Sequence, residues 1–433
     1  APGTNHVLYG GDFGDKPNLK AFCLNGVVFS DRSVSAKYQE VKHVYAPVWI
    51  TQKGDEVWVK NHHSHLSLEG FSCQYQVTKN GVVGQESVLK MPSVQPGDSA
   101  KLCSLHDFKA YKNTDSRLNI SVISQQGVEV GREQIALSDN LYEAGWKLAA
   151  DAMKRYKSSR RLATLSTAEL LARNISVIPQ FFRAPTDNDK SFGNWIAKDW
   201  KKTHLDSTLS AIPLKDGEYV YHYGEDGASD KAGSSASAKS GGNIRLRLEV
   251  APQQDGFVDV KATYSFEGNL PELPRLGLMM KLPRVAYDQV KWYGRGPWEN
   301  YPDRKQSCPI GWYESSVEDQ FTHYPRPQDN GNHEDCSYIE LTNKNGKNAL
   351  QVIAVGDTPL SFSALPYSVA DLYAARHDFE LKQSGNPNLR YTYFSLDCAV
   401  LGLGNSSCGP GVLKKYAIDK TRSYTLHFKM RIL

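Results

Sequence analysis

His333 and Glu334 stand side by side in a chain of 433 residues, an imidazole beside a carboxyl, the residue types that general acid–base catalysis uses. The run His62-His63-Ser64-His65 gathers three imidazoles. On a strand or turn their side chains alternate and find no further ligands of the kind zinc needs, so an exposed loop accounts for them better. Seven cysteines, Cys23, Cys73, Cys103, Cys308, Cys336, Cys398 and Cys408, are widely spaced with no Cys-x-x-Cys, which argues against structural zinc. Their odd number leaves a thiol over from any disulfide framework and favours a reducing compartment. Trp292 and Trp298 flank Gly294-Arg295-Gly296-Pro297; such rings can stack on sugar C–H faces, but a place in a β core suits them better. Arg295, Glu299 and Arg304 are expected to form structural ion pairs around that turn. No helix signature follows Gly294-x-Gly296, so it is not a nucleotide loop. Asp187-Asn188-Asp189, leading into Lys190-Ser191-Phe192-Gly193, reads as an Asx-rich turn capping a helix that carries Trp195 and Trp200.

Mostly strands must position these groups. Between about Tyr45 and Gln134, Glu56-Val57-Trp58-Val59-Lys60, Phe71 to Val77 and Leu118 to Ile123 read as strands. Asn80-Gly81 is a hairpin signal and Gln95-Pro96-Gly97-Asp98 a turn. Short strands spaced by turns over this length predict an immunoglobulin-like sandwich. A helix is expected within 140–175, where Ser166-Thr167-Ala168-Glu169 has capping-box spacing. Farther on, Ile244, Leu246, Leu248 and Val250 alternate with charged residues, and Tyr424 to Ile432 repeats the pattern. The Ser-, Gly- and Ala-rich run 227–242 reads as a solvated hairpin loop. A long series of antiparallel strands after residue 176 predicts a large two-sheet sandwich. Residues 1–45 are turn-dense and too poor in apolar residues to fold alone, so they must pack against something else.

Composition narrows the classes. The chain is 40% hydrophobic and 23% charged, which excludes wholesale disorder. Its 51 basic and 47 acidic residues nearly cancel to +4. No basic tract interleaves with aromatics, so a nucleic-acid partner has no support. No apolar stretch reaches the ~18 residues of a membrane span. Ala1-Pro2-Gly3-Thr4 lacks the parts of a signal peptide and also lacks Met. The expectation is a processed end, or a cut inside a longer protein, in the cytoplasm or periplasm.

Five blocks, met in order, resemble the C-terminal part of the β-galactosidases of glycoside hydrolase family 2. Tyr9 to Asp15 with Phe22-Cys23-Leu24-Asn25-Gly26 and Asp31-Arg32 is similar to the end of that family's catalytic (β/α)8 barrel. Phe182 to Asp189, Tyr293 to Arg304, Pro327 to Asp335 and Gly402 to Gly411 are similar to successive parts of its last domain. The resemblance implies a mainly β chain with three parts: a barrel remnant over 1–45, an immunoglobulin-like sandwich over 46–135, and a galactose-mutarotase-like supersandwich over 136–433. It also implies a non-catalytic portion of a retaining β-galactosidase acting on β-galactosides such as lactose. The two glutamates that this chemistry needs, and the magnesium ligands, would lie upstream.

For the site, the resemblance implies a substrate pocket touched by Phe22, Asn25, Asp187, Asn188, Asp189 and Cys408. The Phe22 carbonyl and the Asn25 side chain would supply part of a sodium site that an upstream Asp completes. The segment 187–193 corresponds to a mobile loop at the pocket, although Ser191 stands where a Gly is common. Cys408 replaces a Trp that some relatives stack on the leaving-group sugar, and a thiol offers no such surface. Leu19 replaces an acidic residue, while Lys20 keeps a positive charge. The implied partners are the upstream catalytic portion and further copies of the chain. Two rival readings are a stand-alone carbohydrate-binding module and a mutarotase-like epimerase using His333 and Glu334.

Overall fold

The computed structural model describes residues 6–432 except 112, 158–175, 191–195, 211–215, 226, 233–240, 254–255, 347–348, 357–358, 383–385 and 405–410. Apolar alternation builds the first seven strands: β1 (Val48–Lys53), β2 (Glu56–Asn61), β3 (Ser72–Lys79), β4 (Val82–Leu89), β5 (Ser99–Ser104), β6 (Ser116–Ile123) and β7 (Glu129–Ser138). They form a three-stranded sheet, β1-β2-β5, and a four-stranded sheet, β4-β3-β6-β7. Val48, Val57, Val59, Leu118 and Ile120 are buried between them. The β3–β4 turn needs left-handed backbone at two positions, Asn80 at φ 47° and Gly81 at φ 77°, which explains the Asn-Gly pair. A Cβ on Gly81 would also lie 2.6 Å from the Tyr293 ring, so this hairpin tip presses on the larger sandwich.

That junction carries a buried polar tie. The Tyr293 hydroxyl donates to Asp115 Oδ2 at 2.7 Å, and Arg117 pairs with Asp115 Oδ1 at 2.9 Å. Tyr293→Phe removes one bond to a buried carboxylate and is expected to cost about 1.5–3 kcal/mol, read as a lowered urea midpoint. A loss below ~0.5 kcal/mol would show that the tie contributes nothing.

The expected helix runs Leu141–Lys157; the Ser166 capping box lies outside the described residues. Ala144 and Ala149 are buried with Tyr338 and Ile353. The helix backbone approaches so closely that a Cβ on Gly145 would sit 2.6 Å from the Ser337 carbonyl.

The remaining strands are β8 (Ser176–Gln180), β9 (Gly217–Gly224), β10 (Gly227–Ala232), β11 (Gly242–Pro252), β12 (Val258–Gly268), β13 (Arg275–Pro283), β14 (Gln289–Arg295), β15 (Ile310–Ser316), β16 (His333–Cys336), β17 (Tyr338–Thr342), β18 (Ala349–Ala354), β19 (Leu360–Leu365), β20 (Tyr391–Val400) and β21 (Tyr424–Ile432). They make a nine-stranded sheet, β10-β9-β11-β12-β21-β18-β17-β14-β15, and a five-stranded sheet, β16-β19-β20-β13-β8. Ile244, Leu246, Phe428, Leu278, Phe362 and Phe394 fill the core between them. The run 227–242 corrects the sequence reading, because its first six residues are β10, paired antiparallel with β9. Backbone pairing to a neighbour stabilises that strand although its side chains give no apolar signal.

The N-terminal segment lies across the loop end of this sandwich. Glu40, on the helix Ala36–Val44, accepts from the Gln306 and Ser307 amides at 3.1 and 3.0 Å. Tyr9 stacks on His377 at 4.6 Å, and His6 on Phe379 at 4.3 Å.

Candidate functional site

Arg183 follows β8 and is fully buried. Its guanidinium pairs with both Asp189 oxygens, at 2.8 and 3.1 Å, and donates to the Leu401 and Gly402 carbonyls at 2.8 and 3.1 Å. Asp189 also accepts from the Thr186 amide at 2.9 Å, and its own amide donates back to Thr186 Oγ1 at 3.2 Å. Asp189 therefore props the loop from below. Asn188 Nδ2 donates to the Leu403 carbonyl at 2.7 Å. From the other side, Asp303 accepts from the Leu403 and Gly404 amides at 2.9 and 2.8 Å. Segments 183–190 and 401–404, far apart in sequence, thus become one rim. Cys408 lies outside the described residues, as do Ser191 and Trp195. Trp200 is buried on the helix Ile196–Lys202.

Asp187 is half-buried, with a side chain 43% accessible that reaches Arg326 at 3.3 Å and accepts from Gln328 Nε2 at 3.2 Å. Beside it, burial and then Arg326 push the Lys190 amine down to about 8. Glu299 is buried, which alone would raise its pKa; Arg304 at 2.9 Å, the Tyr324 hydroxyl and the Gly331 amide outweigh this and hold it low. The expected Arg295 partner is different: Arg295 pairs with Asp335 at 2.5 Å, because β16 brings that residue alongside β14.

The N-terminal segment reaches the same rim. Lys37 donates to the Gly26 carbonyl at 3.2 Å and stands 6.0 Å over the Tyr324 ring. Burial, then the Arg304 charge, lower its pKa, while Glu299 and Asp187 act the other way. The Asn25-Gly26 turn is thereby tied to the Glu299 and Asp187 neighbourhood. Phe22 is 41% exposed, and Asn25 is exposed too. Sequence reasoning missed His377, which meets Asp12 at 2.7 Å and Glu380 at 3.0 Å. Asp12 is 365 positions away, and no local pattern signals such a contact.

His333 and Glu334 do not form an epimerase site. His333 is 1% exposed, stacked on Phe362 and lying 4.4 Å from Trp292. Its nitrogens face Gln320 Oε1 at 2.7 Å and the Arg295 carbonyl at 3.2 Å. Glu334 accepts from Asn332 Nδ2 at 2.8 Å and lies 3.9 Å from Lys305. Trp292 is core, as expected, and Trp298 donates to Ser307 Oγ at 3.1 Å. His63 is engaged by Asn61 Oδ1 at 2.9 Å, and among the described residues no group of three His, Cys, Asp or Glu could hold a metal. Among the described residues, six cysteines are free thiols.

Asp329, a buried carboxyl, lines a cavity, and a second buried carboxyl, Asp397, lies behind the wall. Arg275 stands between them, bonded to Asp397 Oδ1 at 3.1 Å and lying 3.6 Å from Asp329. Asp329 also accepts from the Tyr301 hydroxyl at 2.9 Å. Clamped carboxyls of this kind are not a nucleophile and acid facing a scissile bond.

Residues 153–431 match the family described as "Beta galactosidase small chain", and residues 2–50 match "Glycosyl hydrolases family 2, TIM barrel domain". Similar curated proteins include the β-galactosidase of Priestia megaterium, 27% identical over 100% of this chain and 43% of that protein. Those of Halalkalibacterium halodurans (27% identical, 96% and 42%) and Lactobacillus delbrueckii subsp. bulgaricus (28% identical, 99% and 43%) are similar as well. The chain thus spans about two-fifths of the length of the curated relatives it matches.

Proposed function

Since the chain belongs to the β-galactosidase small-chain family, we propose that it is the non-catalytic C-terminal portion of a retaining β-galactosidase, shaping the galactoside pocket and completing the barrel. The supporting observation is where its apolar surface lies. Among the described residues, more than half of the large apolar side chains left exposed fall within residues 13–45, among them Phe13 at 73%, Leu19 at 74% and Tyr45 at 80%. Tyr38, Val41 and Tyr45 line one stripe of the helix Ala36–Val44 and its cap, a helix that buries none of its residues. An apolar stripe of this kind marks a face made to be covered. The occupant this reading assigns is the preceding part of the barrel, which would bring the two catalytic glutamates and the magnesium ligands.

The Phe22 carbonyl and the Asn25 side chain offer two oxygens to a cation, too few for a hard ion that takes several. The sodium site therefore belongs to the joined protein, and no step of hydrolysis is assigned to it in this chain. Asp187 and Asn188 would stand at the pocket rim, with Asp189 and Arg183 as positioning residues.

The test is complementation. The 433-residue chain should not hydrolyse nitrophenyl β-D-galactoside, and mixing it with a separately produced barrel portion should restore turnover. Enzyme-like hydrolysis by the chain alone, or a mixture that neither associates nor turns over, would overturn the proposal.

A further inference from the structure

A cavity of about 300 Å3 opens on the outer face of the five-stranded sheet, near the lower bound of small-molecule sites. Strand register explains why space exists there. Ser363 faces Ser395 across β19 and β20, Ser395 faces Met279 on β13, and Met279 faces Ile178 on β8. The next row runs Ser361, Asp397, Gly277, Gln180. Alternation sends Phe362, Phe394, Leu396 and Leu278 into the main core, while Ser363, Ser395 and Gly277 on this face are too small, beside Met279 and Ile178, to fill the volume beneath their cover.

The roof is preformed. Ser368 caps the helix Val369–Ala374 through a reciprocal pair of bonds with Asp371, and Asn388 donates to Asp371 at 2.9 Å. Tyr367 and Phe182 supply aromatic walls. Gln180 lines the cavity and is 6% exposed, yet its Oε1 has no hydrogen-bond partner. That oxygen is closed off as it stands; a buried acceptor left unsatisfied is costly, and turning it toward a donor bound in the cavity would remove the cost. Arg275 and Asp329 in the wall are already paired, and the Lys281 amine stands 4.0 Å over the Tyr391 ring, so the interior calls for a neutral ligand.

We propose that this cavity binds a neutral, hydroxyl-rich ring of hexose size, with Gln180 accepting from a hydroxyl, Ser363 and Ser395 forming the polar floor, and Tyr367 and Phe182 against its C–H face. The proposal does not depend on the reading of the chain as part of a galactosidase.

Titration calorimetry of the 433-residue chain with D-galactose, D-glucose and glycerol tests it. At least one hexose should bind saturably at one site, with glycerol at least tenfold weaker. Gln180→Met, which keeps the volume and removes the acceptor, should weaken the hexose about tenfold. Ser395→Leu should abolish binding by filling the floor. Absence of saturable hexose binding, equal affinity for glycerol, or unchanged affinity in Gln180→Met with an unaltered melting curve would overturn the proposal. Should Ser395→Leu fail to fold, Gln180→Met decides.

Discussion

Arg183→Met is expected to destabilise the chain by about 3–5 kcal/mol, the range for removing one partner of a buried ion pair. Arg183 and Asp189 are each 1% accessible at the side chain, so the carboxylate left behind would keep only the Thr186 amide. The Leu401 and Gly402 carbonyls would lose their donor as well, releasing both sides of the rim together. The guanidinium lies 5.8 Å from the Trp200 ring, so urea unfolding followed by tryptophan fluorescence reports the change. Arg183→Met/Asp189→Asn should cost less than the sum of the two single substitutions, because the pair is removed as a unit. Strict additivity, or a loss below ~1 kcal/mol for Arg183→Met, would show that the pair does not hold the rim.

His333 should give this protein an acid-sensitive core. Burial pushes its imidazole down to about 4, with the Arg295 carbonyl and the Glu299 charge opposing weakly. As pH falls through the ordinary value near 6.5, the unfolded chain takes up a proton that the folded chain refuses. The contribution is whole above pH 6.5 and disappears progressively toward pH 4. The shift corresponds to about 3 kcal/mol. His333→Phe keeps a ring between Trp292 and Phe362 and leaves Gln320 Oε1 without its imidazole partner at every pH, a constant offset rather than a slope. Unfolding free energies measured from pH 7 to 4 should therefore converge, the parent losing about 3 kcal/mol more than the variant. Parallel curves would refute the assignment. Asp397, raised to about 6 by burial, is common to both proteins and cancels in the comparison.

Features decided within a few residues were legible in the sequence. The strands around Val57, Ile120, Leu246 and Phe428 follow from side-chain alternation, and the Asn80-Gly81 turn from two left-handed backbone positions. The five family-like blocks identified the family. The strand at 227–232 was not legible, because Gly, Ala and Ser carry no period and only backbone pairing with β9 makes it a strand. The serines at 363 and 395 do alternate with apolar residues, which was a usable signal for an outer face, but alternation does not say which residues become neighbours.

What the chain settled by itself is therefore chemistry of short range: which segments extend, where they turn, and that the Asp187-Asn188-Asp189 block belongs with a sugar-hydrolase family. Tertiary structure decided what each charge does. Asp187 is left accessible while Asp189, two residues on, is sealed against Arg183. His333 is held in the core, His377 is coupled to Asp12, and four strands are brought into one row that leaves a hollow. The physical reason is that burial and partnership depend on register and layer packing among residues hundreds of positions apart, and desolvation by those distant neighbours governs the behaviour of an ionisable group more strongly than its local sequence.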